Sequence, residues 1–274
     1  MLAELPALIG AHALPVFAAL LLGLLLATGA GWWSAQRHLL PPLRERLGAN
    51  AAWLALLGLG FAFIVGAGAL FAELSEVLDA DEELARFDLA LSQAIRAGTP
   101  PEALAWFGAI TRLGDTATLV ALCIVVALVL LALRRHMLML VWVLAVAGNG
   151  ALNVALKALF ARARPVHDGG ALLAHGYSFP SGHSSGAVVA YGMLAFVLLR
   201  VLPKAWHLPV VLLATAIAFS VGSSRIFLHV HYPSDVLAGF ASGAAWLAVC
   251  LVAAAWVRRR RGGVSGHEPP KPSG

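Results

Sequence analysis

The chain has 274 residues, of which 60% are hydrophobic and only 12% charged, with a mean hydropathy of +0.84. A soluble domain of that composition could not keep a wetted surface, and apolar runs of roughly 20 residues are long enough to cross about 30 Å of hydrocarbon as helix. The net charge of +5 and pI near 9.8 would point to nucleic acid in a soluble protein; in a membrane protein Lys and Arg mark cytoplasmic connectors instead, so no nucleic-acid partner is expected.

Seven membrane spans follow in chain order, near 13–33, 51–72, 117–133, 137–159, 184–202, 208–225 and 236–257. The N-terminal segment MLAELPALIGAHALP lacks the basic region of a signal peptide, so the first run reads as a retained helix. Cys123 and Cys250 each sit inside an apolar run, with neither zinc nor disulfide spacing. Gly239 and Gly243 form a GxxxG, which suggests close helix packing.

The connectors set an orientation. Arg37, Arg44 and Arg46 follow the first span, Arg134 and Arg135 the third, Arg200 and Lys204 the fifth, and Arg258–Arg261 open the C-terminal tail. With Lys271 these supply 12 of the 19 basic residues, and the alternation of spans puts them all on one face. The positive-inside rule makes that face cytoplasmic, with the N-terminus outside and the C-terminus inside. Segment 73–116 then lies outside. It carries nine acids, among them Asp88 and Asp115, and its apolar spacing predicts one or two amphipathic helices split near Gly98-Thr99-Pro100-Pro101, a plain solvated loop being the alternative. The expected organisation is 1–50 as an additional N-terminal transmembrane helix with a basic cytoplasmic loop, 51–257 as a transmembrane core, and 258–274 as a disordered basic tail.

The remaining polar residues collect on the outer face. Lys157 stands near the outer end of the fourth span, followed by Arg162, Arg164 and Pro165; Ser181, Gly182 and His183 open the fifth; Ser224 and Arg225 close the sixth; His231 and Asp235 lead into the seventh. Cations placed against the orientation bias at helix ends are costly and call for a reason. Arg offers a planar fork for phosphate oxygens and Lys a point charge. A helix starting at Pro180-Ser181-Gly182 would aim N–H groups at an anion. Asp235, four residues after His231, could fix the imidazole tautomer and leave the other nitrogen nucleophilic. His183 could protonate a leaving oxygen. That combination is suited to phosphoryl transfer through a phosphohistidine without a metal. Singly, each residue has a bland reading: Lys157 snorkelling, Arg162 and Arg164 as headgroup anchors, His183 and Asp235 as helix N-terminal residues.

The three motifs KALFARARP (157–165), PSGH (180–183) and SRIFLHVHYPSD (224–235), in this order, resemble the type 2 phosphatidic acid phosphatase superfamily, which also includes undecaprenyl-pyrophosphate phosphatases and vanadium haloperoxidases. The resemblance covers roughly 75–274. It implies an all-α polytopic membrane bundle with a six-helix phosphatase core, to which the 13–33 span looks additional. It implies His231 as nucleophile, Asp235 as its orienter, His183 as general acid, and Lys157, Arg164, Ser181, Gly182 and Arg225 as phosphate ligands, with no cofactor and no metal. The substrate would be a membrane lipid phosphate or pyrophosphate of the undecaprenyl pyrophosphate, phosphatidic acid, phosphatidylglycerol phosphate or lipid A class, met at the extracytoplasmic side of the plasma membrane. His229 occupies a position where a small residue is expected, and reads either as a pocket wall or as a polar helix end. His167, Asp168, His175 and Tyr177 lie between the first two motifs and could touch a headgroup. A lipid phosphotransferase, a metal-dependent hydrolase using His229, His231 and Asp235, and a phospholipid-binding transporter are the competing readings. The sequence leaves the oligomeric state open.

Overall fold

The computed structural model describes residues 5–39, 54–55, 57–73, 82–162 and 177–264. All regular structure among them is helical: α1 (Leu5–Ala11), α2 (Ala13–Ser34, continued by a π-helical turn Ala35–Leu39), α3 (Leu57–Glu73), α4 (Glu82–Gly98), α5 (Pro101–Thr111), α6 (Thr116–Ala132), α7 (His136–Phe160), α8 (Gly182–Leu198), α9 (His207–Phe227) and α10 (Pro233–Val264). Each of the seven expected spans has its helix. Among the described residues, four segments are long and apolar enough to cross a bilayer alone: Ala13–His38, His136–Phe160, Lys204–Phe227 and Pro233–Arg258. A fifth is added if α5 and α6, bent by 46° at Gly114–Thr116, count as one broken span. The helices α3 and α8 are apolar but shorter; the 17 residues of α8 rise only about 25 Å.

Local sequence explains most of the boundaries. Pro15 has no N–H to give the Ala11 carbonyl one turn earlier, so α1 and α2 separate at His12, a break the single expected span did not include. The acidic segment does form two helices, α4 and α5, parted at Thr99-Pro100 with Pro101 in the first turn of α5. The last helix continues through Arg258–Arg261 to Val264, beyond the expected start of a disordered tail, because arginine is a good helix former. Residues 265–274 lie outside the described residues, as does most of the basic loop after α2.

The helix α8 is the hub: α7, α9 and α10 all pack on it. Its junction with α10 is the GxxxG. A Cβ at Gly239 would stand 2.6 Å from the Ser181 carbonyl oxygen, and one at Gly243 would stand 2.8 Å from Ser185 Cα, so only glycine lets the backbones approach this closely. Trp142 Nε1 donates to the Cys123 carbonyl at 2.9 Å and Trp246 Nε1 to the Ala145 carbonyl at 2.9 Å, tying α7 to α6 and α10. The additional N-terminal helix docks through Phe17, which stacks on Phe219 and meets Phe107 and Phe227 edge-on. On the same side α1 packs against α4, where Gly10 meets Ala94 backbone to backbone.

Candidate active site

Helix ends distant in the chain meet at one end of the bundle. The turn after α9 shows how local geometry builds the site. The His229 N–H bonds the Ile226 carbonyl at 2.9 Å and the Val230 N–H the Arg225 carbonyl at 3.2 Å, around His229 at φ 55°. This is a Schellman closure, whose left-handed residue is usually glycine, which accounts for the small residue expected at 229. His229 is half-buried there. The His231 N–H reaches the same Arg225 carbonyl at 3.3 Å, so Arg225 and His231 are held on one side of the turn.

Pro233 then starts α10, and Asp235, in its first turn, reaches back to accept from the Tyr232 N–H at 2.9 Å, half of a capping box. The same carboxylate oxygen stands 3.3 Å from His231 Nδ1 and accepts from the Ser178 hydroxyl. Asp235 is fully buried and His231 nearly so. A proton held on Nδ1 by this carboxylate leaves Nε2 with its lone pair.

The other histidine arrives on the first turn of α8. Its Nε2 lies 3.0 Å from Asp115 Oδ1, at the start of α6. Lys157 on α7 donates to the Tyr177 carbonyl at 3.0 Å, and Arg225 Nη1 donates to Thr111 Oγ1 at 2.7 Å. Lys157, Gly182, His183, Arg225 and His231 all line one cavity of about 800 Å³. Gly182 is needed for close approach: a Cβ there would stand 2.8 Å from Asn153 Oδ1. Ser181 is fully buried one step behind, its hydroxyl capping α8 through the Ser184 N–H at 3.4 Å. It positions the helix start rather than lining the cavity. Arg164 lies outside the described residues, together with His167, Asp168 and His175.

Two charged residues central to the site were given no role in it from the sequence: Arg162, read as an outer-face cation or headgroup anchor, and Asp88, one of nine acids of the outer segment. Arg162 donates through Nη1 to Asp235 Oδ1 at 2.6 Å and to Ser234 Oγ at 2.9 Å, and through Nη2 to Asp88 Oδ2 at 3.1 Å, with its guanidinium 4.5 Å from the Tyr232 ring centre. Asp88, on α4, also accepts from the Ser234 N–H at 3.2 Å and from the Ser234 hydroxyl. Burial pushes the Asp88 carboxyl above the usual range, while Ser234 and Arg162 pull it back. The sequence carried a signal for Asp88. It shares the buried face of an amphipathic helix with Leu91, Ser92 and Ile95, where a carboxylate needs a partner. Among the described residues, no group of three or more His, Cys, Asp and Glu side chains is arranged to hold a metal ion.

Apart from Thr116, Asn149 and Asn153, the rest of the cavity is apolar. Leu119, Val120, Ile124, Val146, Val154 and Val189 extend it away from the charged end between α6, α7 and α8. An anion-shaped, histidine-bearing end joined to a greasy channel defines a polytopic membrane protein able to engage an amphiphile by a phosphate-like head. Residues 138–259, which hold all three motifs, match the PAP2 superfamily. It is 35% identical over 141 residues to phosphatidylglycerophosphatase B of Bacillus subtilis (strain 168), a match covering 49% of this chain and 66% of that protein, just under two thirds of its length. The fold superposes with a TM-score of 0.64 and 28% identity on the crystal structure of a transmembrane PAP2 type phosphatidylglycerolphosphate phosphatase from Bacillus subtilis, covering 72% of this chain and 96% of that one. The crystal structure of Aquifex aeolicus LpxE aligns with a TM-score of 0.45 and 28% identity over 60% of this chain and 93% of that one.

Proposed function

We propose that the protein is a membrane lipid-phosphate phosphatase and that phosphatidylglycerol phosphate is its substrate. The observation that carries the reading is the continuity of the cavity: one end is set with Lys157, His183, Arg225 and His231, and the wall running on from it is mostly aliphatic. Such a site fits a phosphate head and an acyl tail at once. The names of the Bacillus subtilis relatives support the glycerolipid choice.

In this mechanism His231 Nε2 attacks phosphorus while Asp235 holds Nδ1–H and stabilises the developing imidazolium. Lys157 and Arg225 hold the phosphoryl oxygens with the N-terminal turn of α8, whose dipole favours an anion. Arg164, the third cation of the motifs, is assigned to the same phosphate. As the bond from phosphorus to the lipid oxygen breaks, His183 gives that oxygen a proton; the lipid alcohol leaves and the phosphoryl group stays on His231. Water then attacks, His183 takes its proton, and inorganic phosphate departs. Burial and the Arg225 charge pull the His183 imidazole down to about 4, and Asp115, 3.0 Å from Nε2, works against them toward the protonated state that the first step consumes. The site faces the extracytoplasmic side in this reading. Arg135, Arg200 and Arg258 gather round a second hollow, of about 410 Å³, on the connectors assigned to the cytoplasmic face, which supports that orientation.

The test is phosphate release by purified protein from phosphatidylglycerol phosphate, phosphatidic acid and an undecaprenyl diphosphate, with His231→Ala and His183→Ala beside wild type. Release by wild type and loss of turnover in both variants are expected. Near-normal release by either variant overturns the assigned roles, and preference for the prenyl lipid overturns the substrate choice.

A further inference from the structure

Asn149, Asn153 and Lys157 recur every fourth residue on α7, share one face, and all line the cavity. Asn153 is engaged near the charged end. Its amide nitrogen donates to Ser185 Oγ at 3.4 Å and its carbonyl oxygen lies against Gly182. Asn149 is different. It is 94% buried (6% exposed), and no group among the described residues hydrogen-bonds its side chain. The carbonyl one turn back, Ala145, already accepts from Trp246 Nε1 at 2.9 Å. Cys123, Ile124, Val146 and Val189 line the same cavity. An amide that opens on the cavity from a mostly aliphatic wall is placed to hydrogen-bond what fills the cavity, and an aliphatic side chain of the same size would suit an empty one as well. Its presence in an apolar wall therefore calls for a ligand atom.

Its depth says which atom. Asn149 lies eight residues before Lys157, about 12 Å along the helix from the phosphate end. In phosphatidic acid one glycerol separates phosphate from acyl ester, too short a path to reach that depth from the phosphate site. In phosphatidylglycerol phosphate two glycerols and a phosphodiester intervene, which moves the ester carbonyls to the longer spacing. A polyprenyl diphosphate has no acceptor beyond its phosphates.

We propose that Asn149 donates a hydrogen bond to an acyl-ester carbonyl of the substrate and thereby selects diacyl glycerolipids with an extended phosphoglycerol head over phosphatidic acid and over polyprenyl diphosphates. This rests on the phosphatase reading above. Asn149 binds substrate and takes no part in the bond changes at phosphorus.

The experiment uses full-length protein in detergent micelles, with the same three lipids at equal surface fraction, and Asn149→Leu as the variant. Loss of one neutral hydrogen bond should lower kcat/KM for phosphatidylglycerol phosphate about five- to tenfold, through KM, with kcat kept. Phosphatidic acid should change less than about twofold, and the prenyl diphosphate should be unchanged or improved. Melted without lipid, Asn149→Leu should unfold at or above the wild-type temperature. An equal fall on all three lipids, no fall on phosphatidylglycerol phosphate, or a lower melting temperature would each overturn the inference while leaving the phosphatase reading in place. A wild-type protein that releases phosphate from none of them would overturn both.

Discussion

Arg162→Met cuts the bridge between two buried carboxylates. Wild-type Arg162 spans Asp88 at 3.1 Å and Asp235 at 2.6 Å, and the two acid side chains are 3% and 0% exposed. Removing one partner of a buried charge pair costs about 3–5 kcal/mol, because the charge left behind has neither water nor counter-ion. For a chain of this size that corresponds to a fall in melting temperature of about 6–20 °C. Asp88 should soften the loss by taking up a proton, since burial already holds its carboxyl above the usual range. The sign follows from linkage. In the variant the folded protein binds that proton more tightly than the unfolded chain does, so stability is present at low pH and drains away as pH rises through the raised value. The gap between wild type and Arg162→Met should therefore widen as pH rises above the ordinary carboxylate range. Adding Asp88→Asn should recover part of the loss and flatten its pH dependence. Thermal unfolding of the purified proteins in detergent, followed across pH, is the assay. A single variant that melts within about 2 °C of wild type, or a double variant no better than the single, would refute the bridge.

Two further outcomes follow from the same geometry. Asp235→Asn should fold, because the amide oxygen can still accept from the Tyr232 N–H, yet lower kcat roughly 10²–10⁴-fold by losing the carboxylate that orients and charges against His231; an unchanged kcat would remove Asp235 from the mechanism. His229→Gly should keep kcat/KM within about twofold, since the left-handed turn at φ 55° suits glycine; a tenfold fall would make His229 part of the pocket wall.

The helix-terminal part of the site was readable because its geometry is local. Arg225, His231 and Asp235 lie within one helix end, one tight turn and one helix start, and their spacing alone brings them together. The GxxxG at Gly239 and Gly243 likewise announced the contact with α8. The Asp88–Arg162 pair was not readable as a pair, because it joins residues 74 apart in sequence and exists only once α4 lies against α9 and α10. The phosphate role of Ser181 came from the motif resemblance, whereas its second role, a hydroxyl bonded to Ser184 at the start of α8, shows only in the fold. Seven apolar runs were visible, but hydropathy does not measure helix length. Ser181 and Gly182 begin α8 at the cavity, which leaves it shorter than a full crossing.

The central claim is a covalent phosphoryl bond to His231, and rapid quenching tests it most directly. Wild-type protein mixed with lipid carrying a labelled terminal phosphate, and stopped in alkali during the first turnover, should yield acid-labile, base-stable label on the peptide that contains His231. His183→Ala should alter how much of that label accumulates without moving it. Substrate turnover with no protein-bound label in the first turnover, or label that persists in His231→Ala, would contradict the account.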